Sequence, residues 1–164
     1  MSDVTESLLN GRTEIGLCNS QMVDTSRFDI LFTQPESLYA VFRNDVFWSS
    51  QEKDSLTWEE IARCPLSLSG GSVRMLMQSA SRLFNNLNVV SVTTTKSSAI
   101  EWAQLGRSVA IIPMDSQEKV HGRKMSRIRL PELSTGFHKS FIVVKGHTPS
   151  LVSKQFLEFY QGTM

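Results

Sequence analysis

The spacing of apolar residues predicts both helices and strands in this 164-residue chain. From 73 to 84, apolar residues three and four positions apart predict an amphipathic helix. Its expected inward stripe consists of Val73, Leu76, Met77, Ala80, Leu83 and Phe84. Near the end of the chain, Thr148 and Pro149 predict the start of a last helix. The inward stripe expected there consists of Val152, Phe156, Phe159 and Tyr160.

Short apolar runs bounded by turn residues predict strands. The expected strands are 14–18, 28–33, 38–42, 65–69, 89–92, 108–112, 125–130 and 137–145. We expect a turn at 34–37, and Pro113 should close the strand that precedes it. Short helices are predicted at 4–10, at 58–63 behind the capping pair Thr57 and Glu60, and from Ser98 to the break at Gly106.

Strand and helix predictions alternate between positions 65 and 113, which is typical of a parallel sheet covered by helices. Small hydroxyl residues follow two successive strands there, each at the start of a helix. Hydroxyl and backbone N–H groups in this position donate to carboxylates or sulfate without burying a full charge. The predicted ligand-binding residues are Ser69, Gly70, Gly71, Ser72, Thr93, Thr94 and Thr95, with Lys96 adding attraction for an anion. The alternative for each loop is an ordinary turn with a helix cap.

Composition limits the function classes. The chain has 17 Lys and Arg against 16 Asp and Glu, and this net charge of +1 is scattered, which argues against strong nucleic-acid binding by this chain alone. Cys18 and Cys64 lack metal-ligand spacing, so we expect no disulfide, zinc site or other cofactor. We see no signal peptide or membrane-spanning run, which makes the cytoplasm the expected location.

The sequence gives no catalytic motif. His121, His138 and His147 fall in a loop, on a strand and before a helix, and neither a G-x-S-x-G nor an H-E-x-x-H motif is present. We therefore predict a binding protein and no enzyme. An enzyme that pairs Ser72 or Thr94 with a histidine stays open as an alternative. The expected role of Trp102, Phe47 and Trp48 is packing.

Five segments, taken in order, resemble the effector-binding domain of LysR-type transcriptional regulators. Together they extend over most of the chain, and one departure from the family pattern is Arg107-Ser108 in place of a second glycine. The segments are Leu8-Leu9-Asn10-Gly11-Arg12 with Glu14-Ile15-Gly16-Leu17, Glu36-Ser37-Leu38-Tyr39-Ala40-Val41, Leu56-Thr57-Trp58-Glu59-Glu60-Ile61, Cys64-Pro65-Leu66, and Leu105-Gly106-Arg107-Ser108-Val109-Ala110-Ile111-Ile112-Pro113.

The resemblance implies an α/β fold like that of type 2 periplasmic binding proteins, with two Rossmann-like lobes. Residues 1–42 and 141–164 would belong to the first lobe and 43–140 to the second. A small anionic effector, such as a carboxylate or an inorganic anion, would bind between the lobes and modulate transcription. By motif position, Cys18 and Asn19 would face the serine and threonine loops; from the residues alone, Cys18 is a small buried hydrophobe.

The family's winged-helix domain and the opening part of its first lobe do not precede Met1 in this sequence. The resemblance therefore implies a truncated chain with an incomplete first lobe, which would meet DNA only through the missing domain. An uncovered sheet edge favours self-association, so we expect a homo-oligomer. The alternative is a stand-alone solute-binding protein of the same fold, which a signal peptide upstream would indicate.

Overall fold

The computed structural model describes residues 3–20, 23–48, 54–73, 76–77, 85–130 and 138–162, which form two compact units. Unit 1 comprises Met1–Pro35 and Gly136–Met164, and unit 2 comprises Glu36–Thr135. These units divide after 35 and 135, whereas the sequence placed the lobe boundaries after 42 and 140. The strand at Ser37–Arg43 pairs only with strands of unit 2, and the strand at His138–Val144 pairs only with strands of unit 1.

Unit 1 is a three-stranded antiparallel sheet with two helices. Its elements are α1 (Asp3–Leu9), β1 (Gly16–Asn19), β2 (Phe28–Pro35), β8 (His138–Val144) and α4 (Leu151–Gly162). Strand β8 lies between β1 and β2, so β1 and β2 are the end strands of the sheet among the described residues.

Helix α1 packs on this sheet through Leu8, which joins Phe28 and Ile142 in a small core. Gly16 allows this close approach, because a Cβ atom there would lie 2.7 Å from Leu8 Cδ1 and 2.7 Å from Val4 Cγ1. The expected break after this helix is confirmed, since Gly11 has a φ of 65°.

Helix α4 contacts the sheet along a single line of aromatic rings. Tyr160 and Phe156 meet Phe141 edge to face, with ring centroids 4.8 Å and 5.8 Å away. The prediction that Val152 and Phe159 also face inward was wrong, since Val152 is 75% and Phe159 is 72% exposed. A sheet of only three strands, about 10 Å across, offers one helix no more than a narrow contact.

The start of α4 also differs from the expectation at Thr148 and Pro149. The helix begins at Leu151, and Ser153 N donates to Ser150 Oγ at 3.3 Å. Glu14 holds this turn from outside the helix, because its Oε2 accepts from Ser150 N at 2.9 Å and from Ser153 Oγ at 2.6 Å. These hydrogen bonds lower the pKa of Glu14 to about 2.

Unit 2 is built on a five-stranded mixed sheet. Its elements are β3 (Ser37–Arg43), α2 (Trp58–Ala62), β4 (Leu66–Ser69), β5 (Val89–Thr93), α3 (Lys96–Gln104), β6 (Val109–Met114) and β7 (Met125–Arg129), and residues 70–73 and 76–77 are helical. The strand order is β5-β4-β6-β3-β7. Strand β4 runs parallel to β5 and β6, whereas β3 runs antiparallel to β6 and β7.

Helix α3 packs on the sheet of unit 2 through Ala99 and Ala103, which are fully buried. Beneath it, Ser108 Oγ donates to Ser67 Oγ at 2.9 Å, and Ser67 Oγ donates to the carbonyl of Ala99 at 2.9 Å. Because both hydroxyls are fully buried and paired, they carry no desolvation cost for an unmet hydrogen bond.

Two predictions about aromatic and apolar packing in unit 2 were wrong. Trp102 is 41% exposed, because the buried face of α3 is formed by small alanines and Trp102 lies beside it. Leu76 is fully buried as expected, but Met77 is 51% exposed, so the buried stripe of that helix is narrower than its spacing predicted. The stripe positions Ala80, Leu83 and Phe84 lie outside the described residues.

Proline positions also departed from expectation. Strand β2 continues through Pro35 and β3 begins at Ser37, so the expected turn at 34–37 is wrong. Pro35 is tolerated because β2 is an end strand, where the missing N–H costs no ladder bond. Pro113 lies within β6 and does not end it. The last residue of β6 that pairs with β4 is Ile111, two positions before Pro113.

Capping was predicted correctly for α2 and incorrectly for α3. Thr57 and Glu60 form the expected capping box, each side chain bonding the other residue's backbone N–H. In α3 the capping residue is Thr95, whose Oγ1 accepts from Ser98 N at 3.1 Å. Ser98, which was expected to be the capping residue, instead donates its backbone N–H to the cap. Phe47 and Trp48 are half-buried, and Trp48 packs edge to face on Phe42 at 4.8 Å.

Candidate functional site

The ends of β4 and β5 bring the serine and threonine loops together. Ser69 ends β4, Thr93 ends β5, and the two residues are partners in the parallel ladder. A Cβ atom added to Gly70 would lie 3.8 Å from the carbonyl oxygen of Thr93. The two strand-to-helix junctions therefore lie side by side at one edge of the unit 2 sheet.

In the junction after β4, Ser69 is the residue that caps the helical segment. Its Oγ accepts from Ser72 N at 3.2 Å and lies 2.7 Å from Ser72 Oγ, and both serines are buried. A Cβ atom on Gly70 or Gly71 would meet no atom closer than 3.8 Å. Packing does not require glycine at either position, so the backbone here stays open to close approach by a ligand.

In the junction after β5, two threonines are used by the backbone. Thr93 Oγ1 lies 2.8 Å from the carbonyl oxygen of Thr95, and Thr95 Oγ1 caps α3. Thr94 is exposed, and its hydroxyl makes no hydrogen bond with the described residues. It is therefore the hydroxyl of this junction best placed to meet a ligand.

The expected contribution of Lys96 is reduced by an ion pair. Lys96 Nζ lies 2.9 Å from both carboxylate oxygens of Glu118, and both side chains are about one-third exposed. Local charge is thus balanced, so attraction of an anion at this edge would depend mainly on hydroxyl and amide dipoles.

Cys18 and Asn19 lie in unit 1 at the end of β1. Cys18 packs against the core that includes Leu8, and burial raises the pKa of its thiol. It therefore has the surroundings of a small apolar side chain, as its residue type suggested. Asn19 is half-buried opposite Lys139. A role for either residue in ligand binding stays a prediction.

The described residues show no arrangement typical of metal or thiol chemistry. No group of three or more His, Cys, Asp or Glu side chains within them is placed to hold a metal ion. Burial, together with the charge of Glu60, raises the pKa of the Cys64 thiol. Within the same residues, no helix is long and apolar enough to cross a membrane.

One feature of unit 2 was missed by the sequence analysis. It is a cavity of about 470 Å³ formed where β3, α3 and the loop before β7 meet. The adjacent pair Arg123 and Lys124 was its only local signal. The cavity is lined by Arg43, Gln104, Gly122, Arg123, Lys124 and Met125.

No family model matches the sequence, and no curated protein is significantly similar to it. Solved structures, however, share its fold. The effector-binding domain of QuiR, in complex with shikimate, superposes with a TM-score of 0.75 at 15% identity, over 95% of this chain and 74% of that one. The chain has the fold of a LysR-type effector-binding domain.

Two further structures support the LysR-type fold. The C-terminal domain of a probable LysR family regulator from Rhodococcus sp. RHA1 gives a TM-score of 0.73 at 14% identity, over 94% of this chain and 77% of that one. HinK, a LysR family regulator from Pseudomonas aeruginosa, gives 0.71 at 11% identity over 96% of this chain. This chain spans only 55% of HinK. The predicted α/β class, like type 2 periplasmic binding proteins, is confirmed.

Proposed function

We propose that this LysR-type fold is the ligand-sensing regulatory domain of a transcriptional regulator, and that it binds a small anionic metabolite. The observation that carries the proposal is the adjacency of the two junctions at Ser69 and Thr93. In the same fold, the QuiR domain holds shikimate, which is a small carboxylate. Binding would shift the population between two conformations of the domain and so modulate transcription.

The role is one of binding, without catalysis. Within the described residues, the hydroxyls of Ser69, Ser72, Thr93 and Thr95 bond only to other hydroxyls and to backbone groups. None of these bonds comes from a histidine or a carboxylate that would act as a general base. We further infer that the domain acts in the cytoplasm as part of a longer regulator. That regulator would contact DNA through a winged-helix domain.

Removal of the Thr94 hydroxyl should weaken effector binding without unfolding the chain. A hydrogen bond to a charged group contributes about 1.5–3 kcal/mol, so Thr94→Val should raise the Kd roughly tenfold or more. The probes are shikimate, succinate and sulfate, screened first by thermal shift and then measured by calorimetry. Ser72→Ala should have a similar effect, because it removes another hydroxyl of the proposed site. The same substitution takes away the hydroxyl that lies 2.7 Å from Ser69 Oγ.

The control is Thr148→Val, which makes the same change at an exposed residue of unit 1. It should bind the selected probe as the unaltered chain does. If none of the three anions binds, or if both site variants retain full affinity, the proposed site is wrong.

Self-association is the second part of the proposal. Helix α4 exposes Leu151, Val152 and Phe159, each more than two-thirds accessible. Both β1 and β2 are end strands among the described residues, and end strands are common sites of pairing between chains. The favoured partner for this apolar surface and these edges is a second copy of the chain.

The double variant Val152→Glu/Phe159→Glu should shift the protein toward a monomer of 18.5 kDa. Two buried charges would oppose burial of the α4 surface in any contact between copies. Light scattering after size exclusion, at several protein concentrations, measures the change, and Gln155→Glu on the same helix serves as the control. A monomeric unaltered chain at every concentration would refute self-association.

A further inference from the structure

The cavity at the C-terminal end of α3 is basic, and it differs in chemistry from the hydroxyl-lined junctions. Three of its lining residues are cations, namely Arg43, Arg123 and Lys124. Asp45 is the carboxylate that bonds to two of them, Arg43 and Lys124, so these four residues carry a net charge of 3 − 1 = +2. A cluster with this excess attracts an anion of matching charge.

Asp45 fixes two of these cations in place. Arg43 donates to it with two nitrogens, Nε to Oδ1 at 2.9 Å and Nη2 to Oδ2 at 2.6 Å, and Lys124 Nζ donates to Oδ2 at 3.0 Å. These bonds hold the pKa of Asp45 well below its usual range, so the carboxylate is charged at neutral pH. The cluster is thus preorganised, which lowers the entropic cost of ligand binding.

Several hydrogen-bond donors are left over. Within the described residues, Arg43 Nη1 and the whole guanidinium of Arg123 make no hydrogen bond, and Lys124 Nζ keeps two further protons. Gln104 Nε2 uses one proton on the carbonyl of His121 at 3.2 Å and keeps the second. The cavity therefore presents more donors than its own acceptors use.

The backbone around the cavity is unusual. Lys124 has a φ of 63°, which is uncommon for a residue with a long side chain, and Asn44 N donates to its carbonyl at 2.8 Å. Gly122 has a φ of 134°, and a Cβ atom there would lie 2.9 Å from Met125 Cγ. These constraints fix the loop against β3 and hold the basic side chains around the same space.

We propose that this cavity binds a small phosphate monoester, with the phosphate group held by Arg123, by Lys124 and by Nη1 of Arg43. A phosphate monoester carries a charge of about −1.5 to −2 at neutral pH, which matches the local excess. Arginine and lysine are well suited to phosphate oxygens. The volume of 470 Å³ also leaves room for an organic group beside Met125.

The site is separate from the proposed effector site. Thr95 begins α3 at the hydroxyl junction and Gln104 ends it at the basic cavity, about 13 Å away along the helix axis. The inference does not rest on the proposed function, and a phosphate ligand could bind here whether or not a carboxylate binds at Thr94.

The test titrates the full chain with glycerol 3-phosphate and with adenosine monophosphate, at constant ionic strength set by sodium chloride. Calorimetry gives the affinity, and NMR follows the side-chain amide of Gln104. We expect saturable binding with a Kd of about 1 mM or tighter. Glycerol alone should not bind, and inorganic phosphate should bind and compete with both esters.

Three variants separate a binding role from a structural one. Arg123→Gln should weaken binding roughly tenfold, because it removes a charged donor. Asp45→Asn should tighten binding several-fold, since the local charge rises to +3 and Arg43 and Lys124 lose their charged acceptor, and we expect this gain to exceed the cost of less fixed side chains. A purely structural ion cluster would give lower stability in Asp45→Asn with no gain in affinity. Lys154→Gln, an exposed residue of unit 1, is the charge-matched control.

Three outcomes would overturn the proposal. The first is no saturable binding of either ester at concentrations up to about 10 mM, roughly tenfold above the expected Kd. The second is equal binding by the unaltered chain and Arg123→Gln. The third is binding of a duplex DNA oligonucleotide through Arg123 while both esters fail, which would make this face a nucleic-acid contact.

Discussion

Leu68→Ala is expected to destabilise unit 2 by about 2–5 kcal/mol. Leu68 is fully buried in β4, which has β5 on one side and β6 on the other. Truncation to alanine removes three carbon atoms and leaves a cavity that these flanking strands cannot readily fill. Urea unfolding, with hydrogen exchange at the amides of β4 and β6, measures the loss and assigns it to unit 2.

The control is Val92→Ala on the neighbouring strand. Val92 is the ladder partner of Leu68, yet it is 60% exposed. Its truncation should cost less than about 1 kcal/mol. Equal losses from the two substitutions would show that burial does not set the stability of this sheet.

Phe141→Ala is expected to cost about 3–5 kcal/mol in unit 1. Phe141 is 5% exposed, and its ring lies 4.8 Å from Tyr160, 5.8 Å from Phe156 and 6.4 Å from Phe32. The substitution removes the contacts of Phe156 and Tyr160 with Phe141 and leaves those of Tyr160 with β2, so the helix should detach more often. Hydrogen exchange in β8 reports the stability, and tryptic cleavage after Lys154 reports the detachment.

Phe159→Ala makes the same chemical change on α4 at a side chain that is 72% exposed. Its effect should stay within about 0.5 kcal/mol, and cleavage after Lys154 should remain slow. Both variants are compared at low protein concentration, where self-association is suppressed. A Phe141→Ala protein with unchanged exchange and cleavage would contradict the packing described for α4.

Local signals in the sequence predicted local structure well. The capping box of Thr57 and Glu60 was correct because both partners lie within one helical turn. The meeting of the Ser69 and Thr93 loops followed from the geometry of neighbouring parallel strands. The sequence did not reveal which hydroxyl caps the helices after β4 and β5, because several serines and threonines lie within three residues of each of these two starts.

Burial of particular side chains was harder to predict, since it depends on what lies opposite them. The spacing that placed Met77 and Val152 inward is correct for a helix face, but it does not give the width of the surface that covers the face. The basic cavity was missed for a related reason. Lys124 and Asp45 are 79 positions apart in the chain, and only the pairing of β3 with β7 brings them together.

The pair of hidden serines beneath α3 has a consequence for the hydroxyl junction. Moving that helix along its axis by one turn, about 5.4 Å, would exchange one alanine contact for another but take the Ala99 carbonyl away from Ser67. A buried hydroxyl without a hydrogen-bond partner lowers the stability of the fold by about 1–3 kcal/mol. Ser67 and Ser108 thus favour a single axial position for α3. The position of Thr95 relative to the end of the sheet is therefore set by hydrogen bonds buried beneath the helix, away from the hydroxyl junction.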